Sequence, residues 1–170
     1  MVISLTGFMG SGKSSVAREL AALLCCSYID LDEYIEKAEE KTITEIFEEG
    51  GEKTFRAMEF KYLKEVLEKS AHNLILSLGG GTIMTAECKT LIMAETTPVY
   101  LQAQISTLVK NLENQTETRP MLKGEVELET RIRELMDKRE ATYKECAEFI
   151  INTDGLSPKA IAEKIKEELI

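Results

Sequence analysis

Short apolar runs alternate along the chain with longer segments in which apolar residues recur at helical spacing. Val16, Leu20 and Leu23 are four and three residues apart, as on one face of a helix. Residues 2–5 form a short apolar run that ends close to Gly7, which is typical of a buried strand. On these criteria we predict strands over residues 2–5, 27–32, 73–78, 98–101 and 149–151, and helices over residues 14–24, 42–49, 52–69, 86–94, 106–112, 127–148 and 158–169.

Strands that alternate with helices indicate βαβ units, which build a parallel sheet with helices on both faces and right-handed crossovers. We therefore predict a single three-layer α/β domain over residues 1–170, with a five-stranded parallel sheet. Ligands bind at the carboxyl ends of the strands in such sheets, so the residues just after each strand are the candidates for a site. The polar residues 113–125 include Pro120 and Gly124 and are predicted to form a mobile lid.

Composition and charge narrow the class of protein. The 170 residues are 44% hydrophobic and 30% charged, which is ordinary for a soluble globular domain. The net charge of −9 disfavours a broad nucleic-acid surface, because an acidic chain repels phosphates. No apolar run reaches the roughly 18 residues of a membrane span, and the first residues lack the features of a signal peptide. We expect a cytoplasmic protein that binds neither membranes nor nucleic acids.

Four cysteines and one histidine do not suggest a zinc centre. Cys25 and Cys26 are adjacent, and Cys88 and Cys146 are isolated, so none of them has zinc-ligand spacing. His72 lies in a polar connection and is interpreted as a loop residue. Reduced thiols that mostly fill core positions are therefore expected.

The strongest chemical motif lies between the first predicted strand and the first predicted helix. Residues 7–14 have the sequence G-F-M-G-S-G-K-S, which fits the phosphate-binding pattern G-x-x-x-x-G-K-[ST]. Glycines let backbone N–H groups wrap a phosphate, and the helix N-terminus adds a favourable dipole. Lys13 would reach the β- and γ-phosphates, and the Ser14 hydroxyl would bind Mg²⁺. The alternative to a phosphate-binding loop is a glycine-rich turn between a strand and a helix, with lysine and serine after it by chance.

This motif predicts a nucleoside triphosphate but not the reaction. The GTPase elements D-x-x-G and N-K-x-D do not occur in the sequence, which favours an ATP-dependent small-molecule kinase. The residues expected to bind the nucleotide phosphates are Gly10, Ser11, Gly12, Lys13, Ser14 and Ser15.

Two aspartates, Asp30 and Asp32, are predicted to end the second strand. Residues two apart in a strand point to the same face, so both carboxylates would lie at the carboxyl edge near the phosphate loop. One could hold Mg²⁺ through water, and the other could accept a proton from an attacking hydroxyl. The alternative is that they are acids at a helix N-terminus, favoured there by the helix dipole.

Three consecutive glycines, Gly79, Gly80 and Gly81, follow the third predicted strand. They would let a ligand approach bare backbone closely. The alternative is a flexible turn, but a turn needs only one or two glycines, so three favour a binding site.

Three arginines are candidates for binding anions. Arg139 has no acid three or four residues away on its helix, so it faces either an anionic ligand or an acid elsewhere in the fold. Arg56 has Glu52 and Glu59 within helical reach, and its alternative is an ordinary surface pair. Arg119 lies in the predicted lid, where it either closes over phosphates or stays solvated.

Taken together, these motifs resemble the shikimate kinase family, and the resemblance covers essentially the whole chain. The matching elements are the phosphate loop at residues 7–14, Asp30-Leu-Asp32, Ile46-Phe47 with Gly51-Glu52, Phe55-Arg56-x-x-Glu59, Leu78-Gly-Gly-Gly81, Arg119-Pro-Met-Leu122, and Arg139 with Tyr143. The phosphate loop is common to many proteins, whereas the other elements in combination are specific.

The resemblance implies a P-loop fold of the nucleoside-monophosphate-kinase type, with a substrate-binding helical region over about residues 32–60 and the lid over about residues 113–125. It implies transfer of the γ-phosphoryl group of ATP to the 3-hydroxyl of shikimate, in the route to chorismate and the aromatic amino acids. Mg²⁺ would be the cofactor, with ATP as co-substrate, and the protein is expected to be a monomer.

The resemblance also implies roles for single residues. Lys13, Asp32 and Arg119 would be catalytic, with Asp32 as base or orienting group, and Ser14 and Asp30 would lie in the magnesium shell. Arg119 would close onto the nucleotide phosphates, and Pro158 would lie beside the adenine. The residues that would bind shikimate are Asp32, Phe47, Phe55, Arg56, Glu59, Gly79, Gly80, Gly81 and Arg139.

The chain departs from the family near the expected adenine site. Family members often carry an arginine there that stacks on adenine, whereas the nearest cation here is Lys110.

Two rival functions are another small-molecule kinase, such as one for gluconate or a nucleoside monophosphate, and an ATP-binding regulatory protein without catalysis. The first would lack the combined acceptor-side motifs, and the second would have lost Lys13, Asp32 or a substrate arginine.

Overall fold

Five parallel strands form the centre of the fold. The computed structural model describes residues 1–70, 72–114, 119–122, 124 and 126–169. The strands are β1 (Val2–Thr6), β2 (Ser27–Asp30), β3 (Leu74–Ser77), β4 (Thr97–Gln102) and β5 (Phe149–Asn152). They form one sheet in the order β2-β3-β1-β4-β5, and each neighbouring pair is parallel. The predicted five-stranded parallel sheet is therefore confirmed.

Seven α-helices connect and cover these strands within the described residues. They are α1 (Lys13–Leu24), α2 (Leu31–Glu39), α3 (Ile43–Lys69), α4 (Ala86–Glu95), α5 (Ile105–Leu112), α6 (Leu128–Cys146) and α7 (Pro158–Leu169). Short 3₁₀ turns cover Thr82–Met84 and Pro120–Leu122. None of the described helices has the length and apolar character needed to cross a membrane.

The sheet separates two apolar cores, because successive side chains of a strand point to opposite faces. Ile3 and Leu5 of β1 belong to the core formed with α1 and α7. Leu74 and Leu76 of β3 belong to the other core, where residues such as Leu63 of α3 pack. Helices therefore cover both faces, which confirms the predicted three layers.

Helix α2 is the main difference from the predicted elements. The second strand was predicted to continue to Asp32, but β2 ends at Asp30 and α2 begins at Leu31. The Asp30 carboxylate caps α2 by accepting a hydrogen bond from the Glu33 amide (3.1 Å). An aspartate at this position satisfies amide groups that the first helical turn leaves unpaired, so the capping interaction ends the strand. The prediction that Asp30 and Asp32 share one strand face is therefore wrong, because Asp30 caps α2 and Asp32 lies in its first turn.

Helix α3 joins the two helices that were predicted on either side of Gly50 and Gly51. Its N-terminus carries a capping box, in which Thr42 and Glu45 bond to each other's backbone N–H groups. The chain leaves helical geometry at Gly51, with φ 76° and ψ 180°, and then resumes. The predicted break is thus a kink, which only glycine adopts without strain.

Candidate active site

The phosphate loop connects β1 to α1 and folds around the side chain of Lys13. Gly7, Gly10 and Gly12 all have positive φ angles, which explains why glycine occupies these positions. The Lys13 ammonium group donates hydrogen bonds to the carbonyl oxygens of Gly7 (2.8 Å) and Phe8 (2.9 Å). The loop therefore has the strand-to-helix context that the motif requires.

The Lys13 side chain is buried, at 8% exposure. Burial, followed by the positive charge of Arg119, lowers the pKa of Lys13 to about 7. A bound polyphosphate would favour the charged ammonium group, because an opposite charge within a few ångströms raises the pKa of a lysine. The loop thus presents a cation whose charge a phosphate ligand stabilises.

Ser14 and Asp30 form an oxygen-rich corner beside the phosphate loop. The Ser14 hydroxyl donates a hydrogen bond to Oδ2 of Asp30 at 2.5 Å. Hydroxyl and carboxylate oxygens are the ligands that Mg²⁺ prefers, and Mg²⁺ usually takes its other ligands from water and substrate phosphates. Within the described residues no group of three His, Cys, Asp or Glu could hold a metal ion, so a magnesium ion here would rely on such outside ligands. The two residues fit a magnesium ion bound in that way.

Asp32 lies in the first turn of α2 and faces the glycines that follow β3. Burial, Glu59 and Asp30 raise the pKa of Asp32 to about 7. Its Oδ1 atom is buried and has no hydrogen-bond partner among the described residues. A Cβ atom added to Gly79 would lie 3.1 Å from this oxygen. Asp32 is therefore an unsatisfied acceptor with the properties of a general base.

Arg56 is held by a buried carboxylate and is not an ordinary surface pair. Its Nη1 atom donates to both oxygens of Glu59, at 3.0 and 3.3 Å, and Glu59 is 0% exposed. Thr82 donates a further hydrogen bond to Glu59 at 2.9 Å. Thr82 was not predicted, because no motif distinguishes a single threonine that follows a glycine turn. This network fixes the Arg56 guanidinium at the cavity wall.

Arg139 projects from α6 beneath the glycine turn and is only 4% exposed. Its guanidinium lies over the Phe8 ring, 5.7 Å from the ring centroid. Its Nη1 atom is buried without a hydrogen-bond partner among the described residues. A buried guanidinium with an unused donor favours an anionic ligand over the alternative of an acid elsewhere in the fold.

Two adjoining cavities bring these side chains together. The larger, of about 580 Å³, is lined on its inner side by Asp32, Arg56, Glu59 and Arg139, with Phe47 and Phe55 as apolar walls. The smaller, of about 360 Å³, is built on the phosphate loop. Ser14, Asp30, Asp32, Gly79, Gly80 and Arg119 line both. The two cavities therefore adjoin at these shared residues.

Comparison with known proteins shows the family. The model of the family described as shikimate kinase matches residues 9–170. The chain belongs to the shikimate kinase family. A shikimate kinase of Thermus thermophilus is 40% identical over 98% of this chain and 89% of that protein. A shikimate kinase of Chlorobium limicola is 41% identical over 99% of this chain and 86% of that protein.

Solved structures agree with this assignment. A shikimate kinase from Acinetobacter baumannii in complex with shikimate has a TM-score of 0.93 and 33% identity, and the match covers 99% of this chain and 92% of that chain. The P-loop kinase architecture predicted from the sequence is therefore confirmed together with the family.

Most predicted site residues of this family member line the two cavities, and the exceptions are Pro158 and Ser11. Pro158 begins α7 and is not among the residues that line either cavity. Ser11 lies in the phosphate loop with its hydroxyl buried, and that hydroxyl has no partner among the described residues. In the predicted lid, residues 115–118, 123 and 125 lie outside the described residues.

Asn111 is a site residue that sequence reasoning missed. Its side-chain amide donates a hydrogen bond to the carbonyl oxygen of Gly10 at 2.8 Å, and it lines the smaller cavity. The neighbouring Lys110 is exposed and lines neither cavity. The group that contacts the phosphate loop here is therefore the amide of Asn111, and not the cation of Lys110.

Proposed function

We propose that this chain transfers the γ-phosphoryl group of ATP to the 3-hydroxyl of shikimate, giving shikimate 3-phosphate and ADP, in the biosynthesis of chorismate and the aromatic amino acids. Membership of the shikimate kinase family supports the reaction. The observation that carries it in the structure is the pair of adjoining cavities, because Asp32 and Arg119 line both. An acceptor hydroxyl and a terminal phosphate would meet between these two side chains.

On the acceptor side, Arg56 and Arg139 are proposed to bind the shikimate carboxylate. Both guanidinium groups line the larger cavity, and a planar guanidinium matches a carboxylate better than an ammonium group does. Phe47 and Phe55, whose ring centroids are 5.0 Å apart, would pack against the carbon ring. Asp32 would accept hydrogen bonds from the hydroxyls.

The proposed reaction is an in-line displacement at the γ-phosphorus. The 3-hydroxyl oxygen forms the new bond to phosphorus, the bond to the β,γ-bridging oxygen breaks, and ADP leaves with that electron pair. The hydroxyl proton passes to Asp32, whose pKa of about 7 suits a general base near neutral pH. Catalysis otherwise depends on positioning and positive charge.

On the nucleotide side, Lys13 and the backbone of Gly10 and Gly12 are proposed to bind the phosphates, together with Ser11 and Ser15. Ser14 and Asp30 would hold Mg²⁺, which when bound supplies positive charge that offsets the charge of the phosphates. Arg119, which borders both cavities, would add positive charge at the transferred group. Pro158 stays a predicted adenine contact.

A monomer that works in the cytoplasm without nucleic acid or membrane partners is part of the proposal. The net charge of −9 supports the absence of a nucleic-acid surface. All four cysteines are unpaired, which is usual in a reducing compartment. Light scattering on the purified protein measures the oligomeric state, and a mass of two chains would refute the monomer.

A coupled assay for ADP release tests the function. With ATP and Mg²⁺ present, shikimate should start ADP release, and the matched control Lys13→Met should remove both ATP binding and turnover. Gluconate and nucleoside monophosphates serve as alternative acceptors in the same assay. ADP release that is independent of shikimate, or that is faster with another acceptor, would refute the proposal.

A further inference from the structure

A buried tyrosine lies directly beneath the glycine turn. Tyr143 is on α6, one helical turn after Arg139, and is 1% exposed. Its hydroxyl group donates a hydrogen bond to the carbonyl oxygen of Gly80. Gly80 lines both cavities, so this hydroxyl contacts the turn between the proposed nucleotide and shikimate sites without lining either cavity itself.

The hydrogen bond determines how the peptide group after Gly80 is oriented. In a planar trans peptide, the C=O and N–H groups point in opposite directions. The carbonyl of Gly80 points into the core toward Tyr143, so the N–H of Gly81 points away from the core. That N–H has no backbone partner among the described residues, and Gly81 lines the larger cavity. Without the tyrosine hydroxyl, the hydrogen bond from the Thr82 N–H to the Gly79 carbonyl oxygen (3.2 Å) would be left to hold these three glycines, whose backbone is more mobile than that of other residues.

The same tyrosine is close to a substrate-binding side chain. Burial raises the pKa of Tyr143 to about 12, although the nearby charge of Arg139 acts in the opposite direction. The phenol is therefore protonated at neutral pH and acts as a donor to Gly80. A Cβ atom added to Gly80 would lie 3.4 Å from Nη1 of Arg139, so the turn lies close to this guanidinium.

We infer that Tyr143 is a positioning residue for shikimate, because its hydroxyl holds the glycine turn in the orientation that the substrate pocket requires. This inference rests on the proposed function and adds a residue outside the cavities to it. The effect should be specific to the acceptor, because the Lys13 end of the phosphate loop is held by its own hydrogen bonds.

The stacked ring pair supplies a matched control. The Tyr143 ring stacks on Tyr100 of β4, with centroids 5.1 Å apart, and Tyr100 is also 1% exposed. The Tyr100 hydroxyl, however, is buried without a hydrogen-bond partner among the described residues. Tyr143→Phe and Tyr100→Phe therefore remove the same atom from two adjacent buried rings, and only the first removes a contact with the glycine turn.

The test is steady-state kinetics of both variants with shikimate and ATP varied separately. Tyr143→Phe should raise the KM for shikimate about tenfold, equivalent to about 1.4 kcal/mol, with the KM for ATP and kcat within about twofold of wild type. Tyr100→Phe should leave all three constants unchanged. An unchanged shikimate KM in Tyr143→Phe, an equal rise in both KM values, or an equal effect in Tyr100→Phe would overturn the inference.

Two further variants separate the hydrogen bond from the stability of the fold. At position 143, 4-aminophenylalanine keeps an N–H donor at the end of the ring, whereas 4-methylphenylalanine has a similar size and no donor. The amino variant should keep a shikimate KM near that of wild type, and the methyl variant should not. Equal KM values would overturn the role of the hydroxyl. Wild-type protein without shikimate-dependent ADP release would instead refute the proposed function, so the two failures are distinguishable.

Discussion

Nη1 of Arg56 donates hydrogen bonds to both carboxylate oxygens of Glu59, and the Glu59 side chain is completely buried. Arg56 also contacts Glu52, at 3.4 Å, but the Glu52 side chain is 52% exposed. The two acids lie three and four residues from the arginine on one helix. Burial distinguishes Glu59, which holds the Arg56 guanidinium, from Glu52, which only lies beside it.

Glu59→Gln should therefore impair both stability and acceptor binding. Removing one charge of a buried pair costs about 3–5 kcal/mol of unfolding free energy, because the other charge stays buried without its partner. The KM for shikimate should rise, since Arg56 is no longer oriented. Denaturant unfolding and kinetics measure the two effects, with Glu52→Gln as the control that changes neither by much. Similar effects in both variants would contradict this account.

Asp32→Asn should retain ATP binding and lose most turnover. A general base typically contributes about 10²–10⁴-fold to the rate, because it removes the proton as the new bond forms. Calorimetry with ATP and the coupled assay measure the two properties. Glu33→Gln is the control, since Glu33 is exposed and pairs with Arg18 at 3.0 Å. Near-normal turnover in Asp32→Asn would remove Asp32 from the mechanism.

The raised pKa of Asp32 predicts opposite effects of pH on activity and stability. At saturating ATP, kcat/KM for shikimate should fall as the pH drops below about 7, because Asp32 becomes protonated. The pKa of Asp32 rises from 3.8 in the unfolded chain to about 7 in the folded protein, so folding favours the protonated carboxyl. Its contribution to the free energy of unfolding is therefore fully present below pH 3.8 and is lost as the pH rises through 7. Asp32→Asn should therefore melt higher than wild type at pH 8, and this difference should shrink at pH 5. A pH-independent difference in melting temperature would contradict the shifted pKa.

Arg139→Ala should mainly weaken shikimate binding. Its guanidinium has a donor that the described residues leave unused, and loss of a buried charge contact with a ligand costs about 2–5 kcal/mol of binding free energy. Calorimetry with shikimate measures the loss, and ATP binding should be unaffected. Arg133→Ala is the control, because Arg133 is exposed and pairs with Glu129. Unchanged shikimate affinity would refute this assignment.

Asn111→Ala should raise the KM for ATP about fivefold and leave the KM for shikimate unchanged. The amide holds the carbonyl of Gly10, and a lost neutral hydrogen bond is worth roughly 1 kcal/mol. Lys110→Ala, at the neighbouring exposed position, should have little effect on either constant. A larger effect from Lys110 than from Asn111 would show that the cation, and not the amide, serves the nucleotide.

The amino-acid sequence by itself determined the sheet, the phosphate loop and most of the cavity wall. Alternating apolar runs and helical spacing reflect burial, and the glycine positions of residues 7–14 reflect backbone angles that other residues rarely adopt, so both are visible locally. The boundary between β2 and α2 was placed wrongly, because Asp30 can either continue a strand or cap a helix. Its contact with Ser14 and its cap on Glu33 decide between these outcomes.

Only the tertiary structure decided which distant polar groups bond to each other. Thr82 bonds to Glu59 over 23 positions of sequence, Tyr143 bonds to Gly80 over 63, and Asn111 bonds to Gly10 over 101. No local pattern distinguishes Thr82 or Asn111 from an ordinary turn or helix residue, and none indicates that Tyr143 bonds to Gly80. These bonds form because the parallel sheet brings distant strand ends to one edge. At Glu59, burial also makes an unpaired polar atom costly, which favours the bond from Thr82.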